Sequence, residues 1–226
     1  GQDEDLLRGL RRTPGAALGS CRRRLTEKDC RRVLEVFKAH DIGFFLYIGG
    51  NDSMDTADKI DRLASELGYD VNVIGVPKTV DNDLAYTDHC PGYGSAARYM
   101  AISTLELGLD NRSLPTPITI IEAMGRNTGW LVASTSLARR GPEDAPHLIY
   151  FPEAGFSEDK FLSDVEEVYE RLGRAVIAVS EGLKDESGEY LGASRREVTR
   201  DGFGHKLPGG ASAYLADLIA AKLKIR

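Results

Sequence analysis

Four side chains capable of acid–base or anion-binding chemistry lie within residues 77–83, PKTVDND. They are the ammonium of Lys78, the hydroxyl of Thr79 and the carboxylates of Asp81 and Asp83. A carboxylate here can act as a base or hold a metal ion, and the lysine can meet an anion as a point charge. The structural alternative is an Asx-type turn that only caps the next element. The loop alone leaves both interpretations open.

A second candidate segment is the glycine turn at residues 49–53, GGNDS. Between a strand and a helix, Gly49 and Gly50 would let backbone N–H groups approach a phosphate. Asp52 would repel a polyphosphate tail there, so we interpret it as a selectivity element or as indirect support for a metal. The carbonyl of Asn51 can coordinate Mg²⁺. A tight strand-to-helix turn without a ligand is the alternative.

The elements that position these segments follow from the alternation of apolar runs and helical patterns. Predicted strands cover residues 44–48, 71–76, 118–122, 148–151 and 175–180, and the first two are expected to be buried. Predicted helices run from a Thr26 cap to Gly43, over 54–67, 94–109 and 130–139, from a Ser157 cap to 172, and over 214–223. Such alternation predicts an α/β fold with doubly wound, mostly parallel sheets.

Chemistry-bearing segments begin where each predicted strand ends. They start at Gly49, Pro77, Met124, Pro152 and Glu181. Because ligands bind outside the carboxyl ends of parallel strands, we expect these segments to meet at one edge of the sheet or sheets. Glu153 would then approach a metal or simply end its strand. Trp130 and Tyr150 are predicted to be core residues rather than cofactor contacts.

Composition narrows the class of protein. The 226 residues carry a formal net charge of −6, which argues against general nucleic-acid or acidic-membrane binding. No apolar run approaches the length of a membrane span. The three cysteines, Cys21, Cys30 and Cys90, are widely spaced, which suits a reducing cytoplasm better than a disulfide framework. We therefore predict a cytoplasmic globular protein that binds neither nucleic acid nor membranes.

Five motifs in order and spacing resemble those of the 6-phosphofructokinase family: residues 49–53, 77–83, 92–96 (GYGSA), 124–126 (MGR) and 152–153. The resemblance implies two Rossmann-like lobes, with a partial phosphoryl-donor lobe over 1–94 and a partial fructose 6-phosphate lobe over 95–226. It also implies that the chain lacks family segments at both ends. We therefore expect this polypeptide alone to be nearly inactive and a longer version to be active.

The resemblance assigns a role to each candidate. Asp81 matches the carboxylate that takes the proton from the 1-hydroxyl of fructose 6-phosphate, and Asp83 supports sugar and metal. By the same resemblance, Thr79 lies beside the transferring phosphoryl group, and Arg22 spans the donor and acceptor phosphates. Met124, Gly125 and Arg126 line the sugar phosphate and the transition state, and Glu181 accepts hydrogen bonds from sugar hydroxyls. His205 is interpreted as an ordinary loop histidine.

The donor is inferred from Asp52 and Lys78. ATP-dependent members typically have glycine at the position of Asp52, and the pair is similar to the diphosphate-dependent branch. The resemblance implies a reversible, Mg²⁺-dependent step of glycolysis, carried out by a homo-oligomer. It places Asn51 near the metal, and it places these residues on the donor side: Gly49, Gly50, Asp52, Ser53, Lys78 and Arg22. An ATP-dependent member of the family and a non-catalytic phosphate-binding module are the alternatives.

Overall fold

The computed structural model describes residues 3–13, 15–17, 19–21, 23, 25–192 and 210–225. Within these ranges the helices are α1 (Glu4–Leu10), α2 (Glu27–Ala39), α3 (Asn51–Glu66), α4 (Tyr93–Asp110), α5 (Trp130–Ser134), α6 (Glu158–Leu172) and α7 (Ala211–Lys222). The strands are β1 (Phe44–Gly49), β2 (Asn72–Pro77), β3 (Ile118–Ala123), β4 (Leu148–Tyr150) and β5 (Ala175–Ser180). A 3₁₀ helix spans Thr135–Ala138.

The strands form two parallel sheets. One sheet pairs β1 with β2, and the other has the order β3-β5-β4. Helices connect successive strands, and parallel neighbours need such crossover connections. The prediction of an α/β fold with parallel sheets is confirmed. The predicted lobe boundary at residues 94 and 95 falls in the first turn of α4, and it stays a prediction.

Local sequence signals account for several helix ends. The hydroxyl of Thr26 accepts from the N–H of Asp29, whose carboxylate accepts from the N–H of Thr26 in a reciprocal capping box. The hydroxyl of Ser157 caps α6, which ends at Gly173 with φ of 67°. Both caps were predicted from sequence, and both are confirmed.

The main core surrounds β5, the central strand of the three-stranded sheet. All six of its residues are buried. Phe161 and Val165 of α6 pack on it, as do Leu215 and Ile219 of α7. Tyr150 also packs against this core, which confirms its predicted place. This packing holds the carboxyl end of β5 rigidly, and the segment that begins at Glu181 starts there.

The two-stranded sheet corrects the prediction of buried strands at 44–48 and 71–76. Phe45 and Val73 pack with α2 and α3, but the opposite face is exposed, with Phe44 at 70%. That face also carries Leu46, Ile48, Ile74 and Val76. Parallel strands are apolar on both faces because both are normally covered. In the described residues only one face of this sheet is covered.

The predicted helix over residues 130–139 is also wrong in part. It is the short α5 followed by the 3₁₀ helix. The hydroxyls of Ser134 and Thr135 donate to the carbonyls of Leu131 and Val132, three residues earlier, at 2.7 and 2.6 Å. Side-chain hydroxyls that bond to nearby carbonyls compete with the α-helical pattern, so the last turn tightens.

Trp130, the first residue of α5, departs from its predicted core position. Its side chain is 53% exposed. A position on the face of an element does not ensure burial, because an amphipathic indole in the first turn of a helix can lie against its neighbours and remain open to water. Among the described residues no helix combines the length and apolarity needed to cross a membrane.

Candidate active site

The glycine turn and the acidic loop lie side by side at the carboxyl end of the two-stranded sheet. Gly49 and Pro77 are paired in the parallel register, and the N–H of Lys78 donates to the carbonyl of Gly49 at 2.7 Å. A Cβ on Gly49 would overlap the hydroxyl of Ser53, which occupies that space. Glycine is therefore required where the strand turns into α3.

Asn51 and Asp52 are the first residues of α3. Asn51 is exposed and Asp52 is partly buried. A carboxylate in the first turn stabilises a helix through the helix dipole, so Asp52 also has a structural contribution at this position. Its predicted role in donor choice and that of Asn51 at a metal stay predictions.

Asp81 is held through its main chain and has a buried carboxylate oxygen. Its N–H donates to the hydroxyl of Thr79 at 3.1 Å. Its Oδ1 is buried and has no hydrogen-bond partner among the described residues. Burial raises the pKa of this carboxyl, and the charge of Asp83 raises it further, while Arg126 and Lys78 lower it. A carboxylate with a raised pKa is a stronger base than a solvated one.

The other sheet contributes a second edge. Ala123 and Ser180 end β3 and β5 as register partners, and the N–H of Glu181 donates to the carbonyl of Ala123 at 2.9 Å. The N–H of Gly125 donates to Oε1 of Glu181 at 3.3 Å, and the hydroxyl of Ser180 donates to the carbonyl of Gly125 at 2.6 Å. These bonds fix residues 124–126 against the start of the segment at Glu181.

The two edges meet at one junction. Burial raises the pKa of Glu181, and the charge of Asp81 adds to the rise, while the N–H of Gly125 and the charge of Arg126 lower the pKa. Asp81 and Glu181 therefore lie within electrostatic range of each other, and the charge of Arg126 lowers the pKa of both. The hydroxyl of Thr128 also donates to the carbonyl of Asp81 at 3.1 Å.

The other predicted site residues differ from one another in exposure and in hydrogen bonding. Met124 is exposed at the end of β3, and Lys78 and Asp83 are exposed on the acidic loop. Glu153 accepts from the N–H of Gly129 at 2.7 Å, which fixes the start of α5 and supports a structural role rather than a metal ligand. Arg22 and His205 lie outside the described residues.

Comparison with known proteins identifies the family to which the chain belongs. The model of the family described as Phosphofructokinase matches residues 2–226, which is nearly the whole chain. The chain belongs to the phosphofructokinase family.

Several relatives in this family share one activity in their names. The pyrophosphate–fructose 6-phosphate 1-phosphotransferase of Xanthomonas campestris pv. campestris (strain B100) is 47% identical over 225 residues, covering 96% of this chain and 53% of the relative. The protein of the same name from Rhodospirillum rubrum is 46% identical over 213 residues, covering 94% and 52%. The chain thus spans about half the length of the curated relatives it matches.

Solved structures of pyrophosphate-dependent phosphofructokinases also match the chain. The crystal structure of a pyrophosphate-dependent phosphofructokinase from Marinobacter aquaeolei matches with a TM-score of 0.78 at 40% sequence identity, covering 100% of this chain and 52% of that chain. The resemblance of the motifs to the diphosphate-dependent branch of the family is therefore confirmed.

The sequence analysis did not assign a role to three residues with contacts at this junction: Asn82, Thr128 and Gly182. Asn82 lies between the two carboxylates with φ of 60°, and asparagine is a residue type that tolerates this conformation. Gly182 follows Glu181 in sequence, and its missing Cβ makes room for the main chain of Arg126. Thr128 had no local signal, because its partner lies 47 residues away.

Proposed function

We propose that the full-length protein transfers a phosphoryl group from diphosphate to the 1-hydroxyl of fructose 6-phosphate. The observation that carries the proposal is the half-buried Asp81 carboxylate with a raised pKa, surrounded by the charges of Lys78, Arg126 and Glu181. Relatives that share this segment are named for the same reaction.

Asp81 acts as the general base in this proposal. Its burial and the charge of Asp83 raise its pKa, so it binds the proton of the sugar hydroxyl more strongly once that proton is released. Arg126 and Lys78 lower the pKa of Asp81, which keeps the carboxylate ionised before the reaction. The opposing effects suit a group that must start deprotonated and accept one proton.

The positive groups stabilise the transferring phosphoryl group. In phosphoryl transfer, positioning and charge stabilisation supply most of the acceleration. Arg126, partly buried beside Asp81, would neutralise charge that develops in the transition state, and Thr79 would contact the phosphoryl group. The turn at Gly49 and Gly50 would offer main-chain N–H groups to diphosphate.

Mg²⁺ would bind at this site together with diphosphate. Among the described residues, one buried oxygen of Asp81 has no hydrogen-bond partner, and the exposed Asp83 lies close enough to raise the pKa of Asp81. Within the described part of the chain, no group of three or more His, Cys, Asp or Glu side chains forms a metal cage. Mg²⁺ commonly binds through one or two carboxylates and substrate phosphates. Asp83, with the carbonyl of Asn51 as a further candidate, would hold the ion, which would neutralise phosphate charge.

The sugar would be held on the side of the three-stranded sheet. Glu181 accepts one bond from the N–H of Gly125 and has remaining capacity for sugar hydroxyls. Met124 and Gly125 would line the sugar phosphate. Because the N–H of Gly125 and the carboxylate of Glu181 are bonded to each other, the sugar-binding segments are pre-organised.

Donor choice would rest on Asp52 and Lys78. Asp52, in the first turn of α3, would repel the longer anionic tail of ATP, and the exposed Lys78 would compensate charge on free diphosphate. The proposed reaction would be reversible, with the protein as a cytoplasmic homo-oligomer in glycolysis.

The test is an assay of the full-length protein with fructose 6-phosphate and Mg²⁺, in which diphosphate and ATP compete as donors. We expect fructose 1,6-bisphosphate to form from diphosphate. Asp81→Asn should lower kcat by about 10²- to 10⁴-fold, the usual contribution of a general base. Turnover with ATP but not with diphosphate would contradict the proposed choice of donor. Turnover with neither donor would contradict the proposed activity.

A further inference from the structure

Asn82 separates the two acidic residues of the candidate site and has an unusual backbone. Its φ is 60°, in the left-handed region that few residues other than glycine adopt. Its side chain is nearly buried, with 7% exposed. The dihedral angles of this residue determine the direction in which the chain leaves Asp81 and enters Asp83.

Both ends of the Asn82 side chain are bonded to the main chain. Its Oδ1 accepts from the N–H of Cys90 at 2.7 Å, and its Nδ2 donates to the carbonyl of Asp88 at 3.3 Å. Because one partner is a donor and the other an acceptor, the orientation of the amide is determined. Together these bonds form the Asn82 clamp.

The clamp ties the acidic loop to helix α4. Cys90 is fully buried, and its carbonyl accepts from the N–H of Tyr93, the first residue of α4, at 3.1 Å. Helix α4 in turn packs against β3 and α5, which flank the other edge of the site. The clamp therefore connects the carboxylate loop to the body of the three-stranded sheet.

The carboxylate of Asp81 depends on its main chain for its direction. Its Oδ1 has no hydrogen-bond partner among the described residues, so that oxygen is not fixed by a side-chain contact. The main chain of Asp81 is bonded to the hydroxyls of Thr79 and Thr128. The conformation of the next residue, Asn82, completes this support.

We propose that Asn82 is a positioning residue, which orients the carboxylates of Asp81 and Asp83 through its left-handed backbone and its clamp on Asp88 and Cys90. The inference rests on the proposed function, since it assigns a means of positioning to the same site. Asn82 acts through its neighbours and does not itself exchange a proton.

The experiment compares Asn82→Ala, Asn82→Gly and a matched control in the full-length protein. Alanine removes the clamp and disfavours the left-handed backbone, whereas glycine removes the clamp alone. The control is Asn111→Ala. Asn111 is also a buried asparagine, 2% exposed, and its Nδ2 bridges the carbonyl of Pro117 and the hydroxyl of Thr119. It caps the far end of the 18-residue α4, roughly 27 Å from the clamp along the helix.

We expect Asn82→Ala to lower kcat by about 100-fold, as displacement of a reacting group by an ångström can do. The Kd for fructose 6-phosphate should stay within about threefold of the wild-type value, because the binding groups remain. Asn82→Gly should lose about tenfold in kcat, since its backbone conformation is still accessible. Asn111→Ala should lower the melting temperature but keep kcat.

Four results would overturn the inference, and the first three are kinetic. The first is wild-type kcat in Asn82→Ala. The second is an equal loss of kcat in Asn82→Ala and Asn111→Ala, which would indicate a general loss of stability. Should Asn82→Ala fail to fold, wild-type kcat in Asn82→Gly would count against the clamp.

Crystal structures of the variants separate this inference from the proposed function. If the wild type turns over with neither donor, the proposed function fails, and the position of the Asp81 carboxylate decides the inference. A displacement in Asn82→Ala or Asn82→Gly that is absent from Asn111→Ala would support it. An unmoved carboxylate would be the fourth overturning result.

Discussion

The hydroxyl of Thr128 donates a hydrogen bond of 3.1 Å to the main-chain carbonyl of Asp81. The two residues are 47 positions apart and follow strands of different sheets, β3 and β2. A bond between segments so far apart in sequence aligns one edge of the site with the other. The candidate base therefore takes its position partly from the segment that contains Arg126.

Thr128→Val should lower kcat by about tenfold. Valine keeps the shape of threonine but leaves the carbonyl of Asp81 without its donor, and losing such a bond typically costs about 1–3 kcal/mol. The measurement is steady-state kinetics of the full-length protein with fructose 6-phosphate and diphosphate. Thr128→Ser, which retains the hydroxyl, is the matched control and should recover most of the activity. Equal kcat values for the two variants would show that the hydrogen bond does not matter.

Asp83→Asn should shift the acid limb of the pH–rate profile to lower pH. In the proposed mechanism Asp81 must be ionised to accept a proton, so kcat/KM is expected to fall as the pH drops through the pKa of Asp81. Burial raises that pKa, and the charge of Asp83 raises it further. Removing the charge lowers the pKa of Asp81, so the carboxylate stays ionised at lower pH.

The profile of kcat/KM against pH, at saturating Mg²⁺, reports the free enzyme. Asp88→Asn is the control, because Asp88 is exposed in the same connection and bonds to Asn82 through its main chain. A shift of the acid limb to higher pH in Asp83→Asn would contradict the electrostatic argument.

Strand β5 was the part of the fold most fully determined by local sequence. Residues 175–180 were predicted as a strand with the bounds that the structure has, and all six are buried. A short apolar run between a glycine-ended helix and a polar segment leaves few other conformations. Within each sheet, the meeting of the chemistry-bearing segments was predictable too, since parallel strands bring their carboxyl ends to one edge.

Other features depend on contacts that local sequence does not encode. The apolar character of Phe44, Leu46 and Ile48 indicates that a covered face is favoured, but it does not say which segment covers it. The bond between Thr128 and Asp81 arises only when two sheets are placed together. The left-handed backbone of Asn82 is permitted by its residue type but is selected by the clamp.

Asp52→Gly should give the full-length protein measurable use of ATP. Asp52 stands in the first turn of α3, where its carboxylate would repel and crowd the tail of a nucleotide. We expect kcat/KM with ATP to rise by at least about tenfold, a change of about 1.4 kcal/mol in transition-state binding. Competition between ATP and diphosphate for fructose 6-phosphate turnover provides the measurement.

Asp58→Gly is the matched control for donor choice. It removes one carboxylate from an exposed position further along the same helix and carries a similar helix-propensity cost. It should leave the preference for diphosphate unchanged. ATP that remains inactive in Asp52→Gly, and also in the Asp52→Gly, Lys78→Gly double variant, would show that other residues choose the donor.

Gly182→Ala should lower kcat by about 100-fold, because it displaces the groups on both sides of it. Gly182 is buried, and a Cβ there would overlap the main-chain carbonyl of Arg126. Main-chain atoms cannot move aside as the end of a flexible side chain can, so either Arg126 or Glu181 must shift. The melting temperature should fall as well.

Gly155→Ala is the control for that variant, since a Cβ at Gly155 would have nothing within 4 Å. It should match the wild type in kcat and melting temperature. If Gly182→Ala lost stability but kept kcat, the contact between Gly182 and Arg126 would support only the fold. A loss of kcat larger than the loss of stability explains would instead place the Arg126 main chain among the atoms whose position the reaction depends on.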